Sequence, residues 1–196
     1  MVEQDPEQLI EAYLILPSGS DEPSPPPSAD SRVGGTPGYP FRGAGKGAKR
    51  ETIQFLKHLS LPHYQVYALA FEDEAGQKWD YFCSIEQDEQ GYWHVMASAS
   101  SVKDSMIRAS HSFPWIHLVG GSGENYLWAG GYVTEKALNA RRVRLITKNG
   151  IVLEDIVEDG LVLFQTDQRV EIPAQVEIYT HTGGLIGTQT LFDYAL

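Results

Sequence analysis

The sequence predicts a mainly β fold: an antiparallel β-sandwich or partly closed barrel with one or two short helices and a disordered N-terminal linker. Two observations predict it. Three tight-turn signals, Asn149-Gly150, Asp159-Gly160 and Gly183-Gly184, crowd into the last third of the chain, each flanked by runs rich in β-branched residues. Turn positions with positive φ select Gly, Asn or Asp, because a Cβ there meets steric resistance. Further upstream, polarity alternates with the period of two that a strand requires.

In chain order, Asp5-Pro6-Glu7 has the chemistry of a helix start: a capping acid, proline at the first helical position and an acid in the first turn. Leu9, Ile10, Tyr13 and Leu14 follow at helical spacing and Pro17 stops the pattern, giving a short helix within residues 1–16. Residues 17–48 read as a linker, because seven of the eleven prolines fall between Pro17 and Pro40 and glycine and serine fill much of the rest. Such a composition buries too little apolar area to offset its ordering entropy. Residues 1–48 are therefore expected to be separable from a β domain spanning 49–196. Charge is polarised along this stretch, with seven acids in residues 1–31 and Arg32, Arg42, Lys46, Lys49 and Arg50 after them.

Arg50–Leu61 is expected to be a second short helix, with Ile53, Leu56 and Leu59 on one side and Pro62 ending it. A three-stranded meander follows over about 64–100. Tyr67, Leu69 and Phe71 share one face of the first strand, and Trp79, Tyr81, Cys83 and Ile85 share one face of the second. Ser101–Ser110 fits a helical turn or a loop. Phe113–Val119 and Leu127–Val133 read as strands linked by Gly120–Gly123. A second meander is expected over 131–192, in which Arg142, Arg144 and Lys148 line an outer face while Val143 and Leu145 enter the core.

Totals bound the function. A formal charge of −11 repels phosphate backbones and anionic membrane surfaces, so neither nucleic acid nor membrane is an expected partner. A single cysteine, Cys83, cannot form an intramolecular disulfide and fits a reducing compartment. The acidic start does not read as a secretory signal, which makes the cytoplasm the expected location.

The conspicuous compositional feature is aromatic: 13 of 21 aromatic residues lie between Tyr64 and Tyr132. Trp79, Trp93, Trp115 and Trp128, with His94, His111 and His117, are the candidate ligand-binding residues of a pocket in region 79–132. Core packing is the competing account of the same residues, since aromatics are favoured strand residues and bulky fillers. No catalytic residue, metal ligand set or cofactor motif is read. Gly120-Gly121-Ser122-Gly123-Glu124 has glutamate where a nucleophile elbow needs its last glycine. Cys83, on an alternating apolar face, is expected to be a buried, inert thiol.

From about Gly131 to Gln189, Val143-Arg144-Leu145, Glu158-Asp159-Gly160-Leu161-Val162-Leu163-Phe164, Val176-Glu177-Ile178-Tyr179 and Gly184 occur in an order that resembles bacterial carboxypeptidase-regulatory-like β-sandwich domains. That resemblance implies a non-catalytic domain and supplies no active-site residues. The expected function is a non-catalytic binding or protein-interaction module, with residues 1–16 able to dock in a groove of a protein partner. The alternative is an enzyme or small-ligand-binding protein using region 79–132.

Overall fold

The computed structural model describes residues 5–16, 47–103, 115–123 and 125–192. Helix α1 (Pro6–Ile15) begins where the sequence places it, with the Asp5 carboxylate accepting from the Glu7 backbone N–H at 3.0 Å. Among the described residues eleven strands follow: β1 (Gln54–Ser60), β2 (Tyr64–Glu72), β3 (Lys78–Gln87), β4 (Trp93–Val102), β5 (Ile116–Gly123), β6 (Tyr126–Val133), β7 (Ala140–Thr147), β8 (Val152–Ile156), β9 (Leu161–Thr166), β10 (Ala174–Thr180) and β11 (Leu185–Leu191). They form three antiparallel sheets, ordered β1-β2-β3-β4, β5-β6-β9 and β11-β10-β7-β8, and these stack rather than closing into a barrel.

Burial along each strand dictates the stacking. In β2 and β3 six consecutive residues are buried, as only strands covered on both faces permit. One face carries Tyr67, Leu69, Phe71, Tyr81, Cys83 and Ile85 against Ile10 and Leu14 of α1. The other carries Val66, Ala68 and Phe82 against Trp128, Leu161 and Leu163 of the middle sheet. That sheet's far face presents Ile116, Leu118, Leu127, Ala129, Val162 and Phe164 to Val143, Leu145, Val176 and Ile178 of the C-terminal sheet. The C-terminal sheet is the outermost layer, and β7 and β10 accordingly alternate. Close approach of the first two sheets needs Gly130: a Cβ there would lie 2.4 Å from Phe82 Cδ1 and 2.7 Å from Leu163 Cδ2.

Several sequence expectations change. Arg50–Leu61 is not a helix: only Arg50–Thr52 forms a 3-10 turn, and residues 54–60 pair with β2 as β1. The helical stripe had only Ile53, Leu56 and Leu59 to bury, whereas pairing satisfies the edge of β2, and Leu56 ends 45% exposed. Gly47 and Ala48, expected in the linker, belong to the fold. Gly47 and Ala48 both donate to the Leu14 carbonyl, and Ala48 bridges to Asp73. The helix is no appendage, since Ile10 and Leu14 are fully buried. Gly120–Gly123 are strand residues of β5 rather than a connection, and Lys148 lies beyond the end of β7, where Ile146 takes the expected outer position. The second meander is broken: β9 leaves the C-terminal sheet to pair with β6. Residues 104–114, which include most of Ser101–Ser110 and the start of Phe113–Val119, lie outside the described residues, as do 17–46.

The β8–β9 turn shows how the chain changes sheets. Asp159 and Gly160 both have positive φ, 49° and 80°, and Glu158 and Leu161 exchange backbone hydrogen bonds of 2.8 and 3.1 Å. A Cβ on Gly160 would meet only ordinary contacts at 3.8 Å, so the cost of a side chain there is conformational. Gly160→Val is expected to lose on the order of 1–3 kcal/mol of stability. Lys148→Ala, at an exposed turn position, should lose less than about 0.5 kcal/mol. Urea midpoints measured side by side check the difference, and coincident curves would refute the turn.

Candidate functional site

The sequence-predicted residues separate into different layers. Trp79 and Trp93 sit on the face of the first sheet that α1 covers, with Trp93 buried and the Trp79 indole donating to Asp73 Oδ2 at 2.8 Å. Trp128 is buried between the first and middle sheets, its Nε1 3.1 Å from where a Gly121 Cβ would stand. Trp115 packs against the third core and lies across Gly187, whose Cβ would come within 2.4 Å of the ring. Three cores thus share the tryptophans, and no common ring platform forms from them. His94 is exposed at the start of β4, bonded to Asp88 at 2.8 Å, and His111 lies outside the described residues. His117 is half-buried on β5 opposite Tyr132, and burial pushes its pKa below the usual imidazole range.

The Asp88–His94 pair is a local turn element. The His94 ring, then the Tyr92 and Gln90 backbone N–H groups, hold the Asp88 carboxyl below the usual carboxylate range. A folded-state pKa depressed in this way adds stability above the unfolded value, and the gain disappears as pH falls through the folded value. His94→Ala should therefore move the Asp88 pKa upward and bring forward the acid side of the unfolding profile. Carboxyl NMR titration of the two proteins checks the direction; an unchanged Asp88 would refute the pairing.

Two polar groupings lie between the first and middle sheets. At one end Tyr132 donates to Asp80 Oδ1 at 3.2 Å, with Asp80 only 4% exposed, and His117 is the Cα partner of Tyr132. At the other end Tyr126 stacks on Tyr64 with centroids 4.7 Å apart. Here the Ser84 and Tyr126 hydroxyls and the Gln165 amide are buried with no hydrogen-bond partner within the protein. Burial pushes the Tyr126 phenol far above its ordinary range; nearby Ser84 counters part of that shift without forming a hydrogen bond of normal geometry.

Cys83 is completely buried beneath α1, and desolvation drives its thiol far above the usual range, which disfavours the nucleophilic thiolate. Among the described residues no group of three or more His, Cys, Asp or Glu side chains is placed to hold a metal ion.

The outer face of the C-terminal sheet is the most organised surface. Its register sets Leu185, Tyr179, Arg142 and Ile156 in one row across β11, β10, β7 and β8, and Thr188, Glu177, Arg144 and Glu154 in the next. Arg142 lies 4.8 Å from the Tyr179 ring centroid. The Tyr179 hydroxyl donates to Glu177 Oε2 at 2.6 Å, and Arg144 reaches the same oxygen at 3.1 Å. Glu154 approaches both arginines, at 3.7 and 3.8 Å. Exposed apolar residues rim the array: Ile156 at 54%, Val152 at 46% and Leu185 at 57%. Alternation along β7 marked Arg142 and Arg144 in the sequence. Tyr179, Glu154 and Glu177 were not read as their partners, because the pairing depends on cross-strand register.

No family model, curated protein or solved structure matches the chain.

Proposed function

We propose that the chain is a non-catalytic protein-interaction module that binds its partner on the outer face of the C-terminal sheet. The observation that carries this reading is the ordered Arg142–Tyr179–Arg144 array rimmed by Ile156, Val152 and Leu185. Arginine and tyrosine are the residues that dominate interface hot spots, and their side chains are already held in place by Glu177 and Glu154. Both charge signs alternate across the face, which suits a partner surface of mixed charge better than a phosphate backbone. The apolar face of α1 is turned onto this chain's own sheet, so the outer sheet is the better docking surface of the two. A single cysteine kept as a buried thiol supports a reducing, cytoplasmic setting, and no described helix is long and apolar enough to cross a membrane.

The test is site-directed photo-crosslinking in extract of the source cells. A crosslinking residue at exposed Gln175, on this face, should yield one defined adduct heavier than the 21.8 kDa chain. The same group at exposed Glu51 should not, and Arg142→Glu with Tyr179→Ala should abolish the adduct while leaving the melting temperature within a few degrees. Equal labelling from both positions, or none, overturns the reading.

The buried, unpaired groups of Ser84, Tyr126 and Gln165 favour a second reading, a small-ligand-binding protein whose site lies between the first two sheets. Tyr126→Phe separates the cases. Removing a hydroxyl that has no partner is neutral or stabilising, whereas a hydroxyl serving a bound polar molecule costs about 1 kcal/mol or more when lost.

A further inference from the structure

Each sheet in a stack ends in strands whose outer N–H and C=O groups can pair with another chain, and folded proteins normally blunt such edges. Most edges here carry a visible device. In β1, Leu56 is skipped by the register between Phe55 and Lys57, and Lys57 crosses to the Ile156 carbonyl of β8. In β4 the register skips Met96. Glu154 and Asp155 place charge on the five-residue β8. The Leu163 N–H of β9 is taken by Asp155 Oδ2 at 2.7 Å. The start of β5 is held by the Gln189 side chain, which accepts from the Trp115 and Ile116 N–H groups and donates to the Ile116 carbonyl.

Edge strand β11 is the uncharged edge of the C-terminal sheet, opposite the acidic β8. Its sequence, Leu185-Ile-Gly-Thr-Gln-Thr-Leu191, has seven residues, no charge and no proline, and among the described residues it is the outermost strand of its sheet. Its register with β10 skips Ile186 near the N-terminal end, leaving residues 187–191 paired without a break. Thr188 and Thr190 are exposed, while Gln189 is engaged inward with β5.

We infer that β11 is a self-association edge: two copies of the chain pair β11 to β11 antiparallel about a two-fold axis at Thr188, joining their C-terminal sheets into one of eight strands. Self-complementarity selects a second copy as the occupant. About that axis Thr188 faces Thr188 and Gly187 faces Gln189, short of the Ile186 bulge, so the central cross-strand pairs are uncharged. Threonine pairs are favourable across antiparallel strands. The same operation on β8, the opposite edge of this sheet, would set Glu154 against Glu154, and on β1 it would set Lys57 against Lys57. A chain of net charge −11 needs a self-contact free of acids, and β11 is such a surface. The inference stands independently of the partner proposed for the outer face, since it uses the strand's backbone edge.

Sedimentation of the full chain between about 5 and 500 μM tests it, a range suited to the small contact that one strand pair provides. The wild type should shift from monomer toward dimer, and Thr188→Lys should remain monomeric at concentrations at least tenfold higher. Thr190→Lys serves as a second variant if Thr188→Lys lowers the melting temperature. Because Cys83 is buried, introduced cysteines report contact directly: Thr188→Cys should form a linked dimer at least tenfold faster than Val152→Cys on the opposite edge. A wild type that stays monomeric throughout, or equal linking at both positions, overturns the inference. Linking of Thr188→Cys to a different protein in extract, with no self-association, would also overturn it and assign the edge to a heterologous strand.

Discussion

Lys57→Met is expected to destabilise the fold by on the order of 3–5 kcal/mol, the range seen when one partner of a buried ion pair is removed. Lys57 Nζ donates to the Ile156 carbonyl at 2.7 Å and pairs with Asp155 Oδ2 at 2.9 Å and Glu158 Oε2 at 3.0 Å. The Lys57 and Asp155 side chains are 10% and 11% exposed, so solvent screens their attraction only in part. Asp155 also accepts from the Leu163 N–H. One cluster therefore ties β1, β8 and β9, a strand from each sheet, to one another. Methionine keeps the bulk of lysine but leaves a buried carboxylate with a single donor. Glu158→Gln is the companion, because Glu158 is 64% exposed and its removal should cost less than about 1 kcal/mol. Urea unfolding at neutral pH checks both; equal midpoints for the two variants would refute the cluster as a tie between sheets.

A chain beginning at Lys49 is expected to be less stable than the full chain by at least about 3 kcal/mol, and its Cys83 should become reactive. Ile10 and Leu14 are fully buried, and burying such side chains contributes about 1.5–3 kcal/mol each. A ten-residue helix has little stability alone, so α1 forms because it docks. Its removal also uncovers the face that holds Cys83, Tyr81 and Leu69. The full chain should react with a thiol reagent far more slowly than the unfolded chain, and the shortened chain at close to the unfolded rate. Leu14→Ala, which keeps the chain length, should cost about 2–5 kcal/mol. A shortened chain with an unchanged midpoint and a protected thiol would show that α1 is not part of the core.

Wherever a single local cause fixes an element, the sequence was enough. Asp5-Pro6-Glu7 set the start of α1, Asp159-Gly160 set a turn, and the alternation through Trp79, Tyr81, Cys83 and Ile85 set both β3 and the face that carries its thiol. β1 was misread because three apolar residues at Ile53, Leu56 and Leu59 also fit a helical stripe, and the need of β2 for a partner along its edge is invisible in a local window. Gly120–Gly123 looked like a loop because glycine usually marks one. Here a Cβ on Gly120 would lie 2.2 Å from the Trp128 carbonyl oxygen, so the strand tolerates only glycine at that position. The aromatic cluster was legible as a cluster but not as three separate cores, since period-two patterning says which residues share a face and not which layer covers it.

The sequence by itself determined a mainly β chain with an N-terminal helix, a cysteine on a buried strand face and an outer row of arginines on β7, because propensity, capping and alternation act over a few residues. Only the tertiary structure decided that α1 completes a core, that β9 crosses to another sheet, that Lys57 joins all three sheets, and that Tyr179 and Glu177 stand beside Arg142 and Arg144. These depend on strand order and register between segments up to about a hundred residues apart, which non-local pairing and mutual burial fix together.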